Sequence, residues 1–226
     1  MSFEFEANIV SYERPDMTQA LINQLRELPF DVFIRVWENS PKEYKYERAN
    51  EVRWNRFNPS LTRVWNWAIA QSKSEWVLVA SDDIRFKHGW YERICQEREF
   101  NPGSFWHGAS RCFFIKRALV EKIGWFDESL TTFCYEDLDY IRRMNFADIP
   151  HLYGKLSVFE DDAVTLKGET RRFMFEGTNI EYFKKKYADH NPEWFKGQPL
   201  LPTMNAYPFA DCSPVAERKD VKDVMK

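Results

Sequence analysis

Three acidic clusters stand out in this chain. Ser81-Asp82-Asp83 closes the apolar run "WVLVASDD", Glu136-Asp137-Leu138-Asp139 opens a helix-like run, and Glu160-Asp161-Asp162 interrupts a strand-like one. Adjacent carboxylates at the end of an apolar run are costly, because like charges repel and each loses hydration. The pair Asp82-Asp83 therefore lies in a solvated turn or has something positive beside it. Hard cations such as Mg²⁺ and Mn²⁺ suit such a pair: they take oxygen ligands, complete their shells with water and substrate phosphates, and neutralise the repulsion. The second cluster has two readings. Carboxylates in the first turn of a helix favour its dipole without doing chemistry. Alternatively Asp137, sharing a face with Ile141 while Leu138 and Ile141 pack inward, stands at the rim of a crevice, where a carboxylate can accept a proton. The third cluster reads as a solvated bulge beside a sheet. His88, His107, His151 and His190 are scattered, so no histidine pair points to a metal, and neither a G-x-S-x-G elbow nor an H-E-x-x-H motif is present.

These clusters need elements to hold them. Ala7 to Ser11 reads as a strand broken at Arg14-Pro15, and Asp16 is expected to cap a helix carrying Met17, Leu21, Leu25 and Leu28 at helical spacing. "DVFIRVWENSP" is a second strand rich in β-branched and aromatic residues, ending at Glu38-Asn39. This βαβ order predicts a parallel sheet with helices on its faces. The pattern repeats: "VRWNRF" is a strand, Ser60 caps a helix carrying Leu61, Val64, Trp65 and Ala68, and "WVLVA" is the fourth strand. Polar clusters thus fall at the carboxyl ends of strands, at Ser11 to Arg14, Glu38-Asn39 and Asp82-Asp83, where open α/β sheets bind ligands. Downstream we expect a helix from Trp90 to Arg98, a loop "NPGSFWHG", a strand "ASRCFFI", a short helix "KRALVEKI", a helix from about Glu136 to Asn145, strand-like "IPHLYG" and "SVFEDDAVTLKG", and a helix "NIEYFKKKYA". The expected architecture is α/β: a Rossmann-like, mostly parallel central sheet flanked by helices, forming one domain over residues 1–197. A Pro-rich arm or linker follows over residues 198–226.

The bulk composition narrows the function. The 32 Lys and Arg against 35 Asp and Glu leave a net charge of −3, so no basic surplus points to nucleic acid or an anionic membrane. The run Lys184 to Lys186 reads as a solvated helix face. No apolar stretch reaches the roughly 18 residues of a membrane span, and the acidic N-terminus does not resemble a secretion signal. The four cysteines, Cys95, Cys112, Cys134 and Cys212, form no C-x-x-C pair and read as reduced thiols, so a soluble protein in a reducing, cytoplasmic compartment, bacterial or of a virus-infected host cell, is expected. Aromatic residues make up 17% of the chain, enough to supply both core rings and flat surfaces that stack on sugars or bases.

In order along the chain from Ile9 to about Tyr187, these pieces resemble the GT-A glycosyltransferases, in particular the inverting family 2 type. "IVSYERPD" looks like the family's opening strand and nucleotide loop, "VWENSP" its second strand, "SDDI" its D-x-D region, and "GWFDESLTTFCYEDLDYIRR" its G-x-F-D-E…E-D-x-D…R segment. "VTLKG" followed by "YFKKKY" resembles its closing segment. The resemblance implies a metal-dependent transferase with a UDP-sugar donor, a glycan, glycoprotein or glycolipid acceptor, and Mn²⁺ or Mg²⁺ as cofactor. It makes Asp137 the general base, Asp83 a metal ligand and Asp82 the ribose contact. Glu38 would meet the uracil ring, and Ser11, Tyr12, Arg14, Asn39, Arg63, His107 and Glu136 would line the nucleotide-sugar site. Trp106, His107 and Trp125 are candidates for the sugar and acceptor walls. Two positions depart from the family's pattern. Asn58-Pro59-Ser60 stands where Asn-x-Gly is usual, and the histidine that often precedes "VTLKG" as a third metal ligand is absent; Glu160 stands nearest that place, with Asp162 or His151 as substitutes. Two other classes stay open at this point: a non-catalytic nucleotide- or glycan-binding module on the same fold, and a metal-dependent phosphohydrolase built from the same carboxylates.

Overall fold

The computed structural model describes residues 4–56, 59–100, 105–109, 112–130, 135–150, 152–153, 159–161, 182 and 186–187; side chains are not described at 97–100, 105–109, 152–153 and 159–161. The chain begins with the expected βαβ unit: β1 (Glu6–Ser11), α1 (Pro15–Leu25) and β2 (Phe33–Glu38). α1 starts two residues earlier than a cap at Asp16 implies. Arg14 occupies the N-cap position and Pro15 the first helical one, where its fixed φ suits the helix and its missing N–H costs nothing. Asp16 is thus a first-turn acid, not the cap. A second unit follows as β3 (Glu51–Trp54), α2 (Leu61–Gln71) and β4 (Trp76–Ser81). Ser60 is the N-cap residue of α2 but makes no side-chain capping bond; its hydroxyl meets Thr62 Oγ1 at 3.3 Å.

After β4 come β5 (Ile84–Phe86), α3 (Trp90–Phe100), β6 (Phe105–Ala109), β7 (Cys112–Lys116), α4 (Leu119–Ile123), α5 (Glu136–Phe146), β8 (Leu152–Tyr153) and β9 (Phe159–Asp161). Among the described residues, seven strands form one sheet in the order β3-β2-β1-β4-β7-β6-β8. The pairs β2–β3, β1–β2, β1–β4 and β6–β8 are parallel, whereas β7 runs antiparallel to both β4 and β6. The sheet is therefore mostly parallel, with one reversed strand. β6 covers the second half of the segment expected as a loop, because hydrogen bonding to β7 organises "FWHGA" despite its glycine. β5 and β9 form a separate antiparallel ribbon.

Alternation along the central strands divides the core into two layers. Ala7, Ile9, Ile34, Val36, Leu78, Ala80 and Phe114 face α1 and α3; Trp37, Val77, Val79, Phe113 and Ile115 face α2, α4 and α5. Successive residues of β4 thus serve opposite layers, which is why the strand reads as a continuous apolar run and not an alternating one. Trp65 of α2 meets Phe113 and Phe126 edge-on at 5.0 Å each, and Phe126 stacks on Tyr140 of α5 at 4.1 Å. One aromatic column therefore joins two helices to the sheet.

No described helix is long and apolar enough to cross a membrane. Cys95 and Cys112 are free thiols, while Cys134, Cys212 and the Pro-rich arm 198–226 lie outside the described residues.

Candidate active site

Because β1, β2 and β4 are parallel neighbours, their carboxyl ends lie side by side, and the three polar clusters meet there. The β1–β4 ladder continues past the strands: Asp82 N donates to Val10 O at 3.1 Å. Asp82 and Asp83 are both buried, and Asp83 is 0% exposed. The positive group beside them is Arg14: its Nη1 donates to Asp82 Oδ1 at 3.1 Å and to Asp83 Oδ2 at 3.3 Å. Tyr12 N donates to Asp82 Oδ2 at 3.2 Å. Burial pushes the Asp82 carboxyl up to about 6, with Arg14 and the Tyr12 N–H pulling it down and Asp83 and Glu38 raising it further. The solvated-turn reading of this pair is therefore replaced by a buried one.

A second layer of bonds fixes the loop that carries Arg14. Glu13 N donates to Ser40 Oγ at 2.6 Å, and Ser40 in turn donates its hydroxyl to Glu38 Oε1. Tyr46 donates its phenol to Glu38 Oε2, and Ser40 N reaches Glu38 Oε1 at 3.1 Å. Burial, and then the hydrogen bond to Glu38, push the Tyr46 phenol well above its ordinary range, so it is a neutral donor. Ser11, also buried, accepts from Thr18 Oγ1 of α1 at 2.8 Å and lies 3.4 Å from the Tyr46 hydroxyl. Asn39 N donates to Ser11 O at 2.9 Å, and Asn55 Nδ2 donates to Asn39 Oδ1 at 2.9 Å. Glu38 is itself fully buried, so its carboxylate organises the strand ends from beneath. Tyr12 and Trp54 are the exposed aromatic residues at these ends. Sequence spacing did not single out Ser40, Tyr46 or Trp54, since their partners lie on other strands.

The β5–β9 ribbon brings the third acidic cluster to the first. Its register sets Asp161 opposite Ile84 and Glu160 opposite Arg85, directly after Asp83 in the chain. The solvated-bulge reading gives way to a paired strand. The Gln24 side chain of α1 clamps the outer edge of this ribbon: its Oε1 accepts from Phe86 N at 2.8 Å and its Nε2 donates to Phe86 O at 2.5 Å. Among the described residues no group of three or more His, Cys, Asp and Glu side chains is arranged to hold a metal ion. Asp162 and His151 lie outside the described residues, as do the side chains of Glu160, Trp106 and His107.

Two further predicted residues, Glu136 and Asp137, lie at the start of α5. Glu136 and Asp137 are buried in its first turn, and Tyr135 before them takes a left-handed conformation with φ 74°. Burial pushes the Asp137 carboxyl above the usual carboxylate range, opposed by hydrogen bonds from the backbone N–H groups of Leu138 and of Asp137 itself. Leu138, expected to pack inward, is 39% exposed. The inward position belongs to Asp139, which is fully buried and receives Arg143 Nε at 3.0 Å, Lys186 Nζ at 2.5 Å and Tyr187 OH at 2.7 Å. Burial alone would raise the Asp139 carboxyl, but the Arg143 and Lys186 cations and the bonds from Lys186 and Tyr187 hold it below its ordinary value. Lys186 also donates to Asp127 Oδ2 at 2.8 Å, and Tyr182 OH to the same oxygen at 2.9 Å. Lys186 is thus an internal cation, not part of a solvated face.

Arg63 lies on α2 and donates from Nε to Glu128 Oε2 at 2.9 Å; Asn66 Nδ2 reaches Glu128 Oε1 at 3.1 Å and Phe126 O at 3.0 Å. These bonds bind the segment "GWFDE" to the helix. Trp125 is partly buried against the same core layer. The sequence signal for this clamp is the pair Asp127-Glu128 after an aromatic residue, which spacing alone does not connect to Arg63.

No family model matches the sequence, and no curated protein matches it. Solved structures do match the fold. GalNAc-T7 with UDP, GalNAc and Mn²⁺ aligns at TM-score 0.58 and 10% identity over 67% of this chain and 42% of the other. S. aureus TarS aligns at 0.57 and 13% identity over 85% and 45%. The mannosyltransferase PcManGT from Pyrobaculum calidifontis, in complex with GDP-Man and Mn²⁺, aligns at 0.63 and 11% identity over 88% and 68%. The chain therefore has the GT-A glycosyltransferase fold. It spans less than half the length of GalNAc-T7 and TarS.

Proposed function

We propose that this protein transfers a sugar from a UDP-sugar to an acceptor hydroxyl of a glycan, glycoprotein or glycolipid, with inversion at the anomeric carbon. The observation that carries the reading is the meeting of Asp82, Asp83, Arg14, Ser11 and Glu38 at the carboxyl edge of three parallel strands, joined by hydrogen bonds into one unit. Charged groups this deeply buried cost free energy that packing does not return, and a ligand-binding role explains their retention.

In this reading the exposed Tyr12 and the strand end at Asn39 receive the base and ribose, with Glu38 setting their positions through Ser40 and Tyr46. Asp82 accepts from the ribose, and Asp83 is the carboxylate for a divalent cation. The donor set fits a hard ion: both groups are oxygen ligands at a strand end, and the ribbon register sets Asp161 and Glu160 opposite Ile84 and Arg85, the two residues that follow them. A bound Mn²⁺ or Mg²⁺ would supply charge neutralisation to the leaving diphosphate. Asp137 accepts the proton of the acceptor hydroxyl as its oxygen attacks C1 from the face opposite the diphosphate. A carboxyl raised by burial is a stronger base than an exposed one, which suits this task near neutral pH. Arg63 and Glu128 act at a distance, holding the segment that leads towards α5.

The test is binding of UDP, GDP and CMP, each with Mn²⁺ and with chelator, by calorimetry on wild type and Asp83→Asn. We expect metal-dependent binding with UDP preferred, lost in the variant. Equal affinity for the three nucleotides, or indifference to chelator, removes the donor assignment.

A further inference from the structure

We infer that Arg14 is a built-in counter-ion for the Asp82-Asp83 pair, which keeps the cation subsite weak until a nucleoside diphosphate arrives and offers the guanidinium a second anion. The inference rests on the donor-binding reading above. Its basis is geometric. One guanidinium nitrogen is shared between the two carboxylates, at 3.1 Å from Asp82 Oδ1 and 3.3 Å from Asp83 Oδ2. The carboxylate side chains are 4% and 0% exposed, whereas that of Arg14 is 21% exposed, so the cation lies on the open side of the pair.

The backbone that carries Arg14 is fixed at several points. Tyr12 N is held by Asp82, Glu13 N by Ser40, and Arg14 O accepts from Thr18 N at 3.0 Å and from Thr18 Oγ1 at 3.0 Å. Glu13 sits at φ 54°, a left-handed conformation that a residue other than glycine adopts only when its surroundings enforce it. The backbone is thereby anchored, and the freedom left at this position belongs to the long side chain. A guanidinium suits the exchange because its planar donor fork binds carboxylate and phosphate alike.

The charge balance sets the direction of the effect. With Arg14 in place the three side chains sum to about one negative charge, which attracts a divalent cation less than the two negative charges of the bare pair. A diphosphate draws the guanidinium away and simultaneously adds oxygen ligands, so metal and nucleotide each strengthen the other's binding. Reciprocity is then obligatory, because the coupling is one free energy shared by two ligands.

The experiment titrates Mn²⁺ into wild type, Arg14→Gln and Arg14→Lys, following free Mn²⁺ by electron paramagnetic resonance, first without nucleotide and then with saturating UDP. In wild type we expect weak binding that UDP tightens about tenfold or more, within the roughly 5- to 150-fold range of ordinary coupling. In Arg14→Gln, Mn²⁺ alone binds about tenfold more tightly than in wild type, and the UDP effect shrinks accordingly. Arg14→Lys keeps the charge but loses the fork, so Mn²⁺ alone binds more tightly than in wild type by a smaller factor. Unchanged or weaker Mn²⁺ binding in Arg14→Gln, or in Arg14→Lys should the glutamine variant not fold, overturns the inference while leaving the donor site intact. Absence of both Mn²⁺ and UDP binding from wild type overturns the donor reading and this inference together.

Discussion

Asp137 and Asp139 show how two carboxylates two positions apart in one helix acquire opposite characters. Asp139 is surrounded by cations and held ionised; burial pushes the Asp137 carboxyl upwards, against hydrogen bonds from the helix's own N–H groups. The difference assigns them separate tests. Asp137→Asn keeps the shape but removes the basic oxygen, so donor affinity should stay near wild type while the transfer rate falls by about 10²-fold or more. In the proposed reaction the ionised form accepts the proton, so the wild-type rate should rise with pH through a value above the usual carboxylate range, and the asparagine variant should lack that limb. A normal rate in Asp137→Asn, measured on the same preparation as donor binding, would return the residue to a helix-terminus role. For Asp139 the sign runs the other way. Its depressed carboxyl contributes stability that is complete above the ordinary value of 3.8 and is lost as pH falls through the folded-state value below it. Asp139→Asn should cost about 3–5 kcal/mol near neutral pH by leaving buried cations undercompensated. Urea unfolding across the acid range checks this: the gap between wild type and variant should stay constant above about 3.8 and narrow below it.

At the level of elements, what was legible followed from short-range pattern. The apolar runs of β1, β2 and β4, each ending in polar residues, and the alternation of strand with helix predicted a parallel sheet and the edge where those polar residues gather. What the pattern missed depends on distant partners. β6 holds together through β7, not through its own composition. Leu138 was assigned inward because helical spacing counts apolar residues and cannot foresee that buried ions will claim that face. Arg14 and Asp82 lie 68 positions apart, and nothing local in either stretch announces their pairing. Trp65, by contrast, was expected on the inner face of α2 and sits at 2% exposure between Phe113 and Phe126. Trp65→Ala should cost about 3–5 kcal/mol, since removing a large ring enclosed in the core leaves a cavity. A shift in denaturation midpoint by less than a third of that would mean that α2 is held mainly by its Arg63 and Asn66 bonds to the following segment.

On the scale of the whole molecule, the late part of the chain completes a structure begun much earlier. Lys186 bridges Asp127 and Asp139, which lie 59 and 47 positions before it. Removing everything after residue 181 therefore leaves two buried carboxylates without that cation, and we expect such a fragment to lose its sharp unfolding transition; cooperative melting of the fragment would refute the expectation. A protein emerging from the ribosome meets this condition in time. The helix that carries Asp137 is translated well before its electrostatic partner, so the chain waits with α5 only partly compensated until Lys186 and Tyr187 appear. The proposed site would become competent last, after the sheet that frames it, and a partly made chain would lack the arrangement of α5 on which that proposal depends.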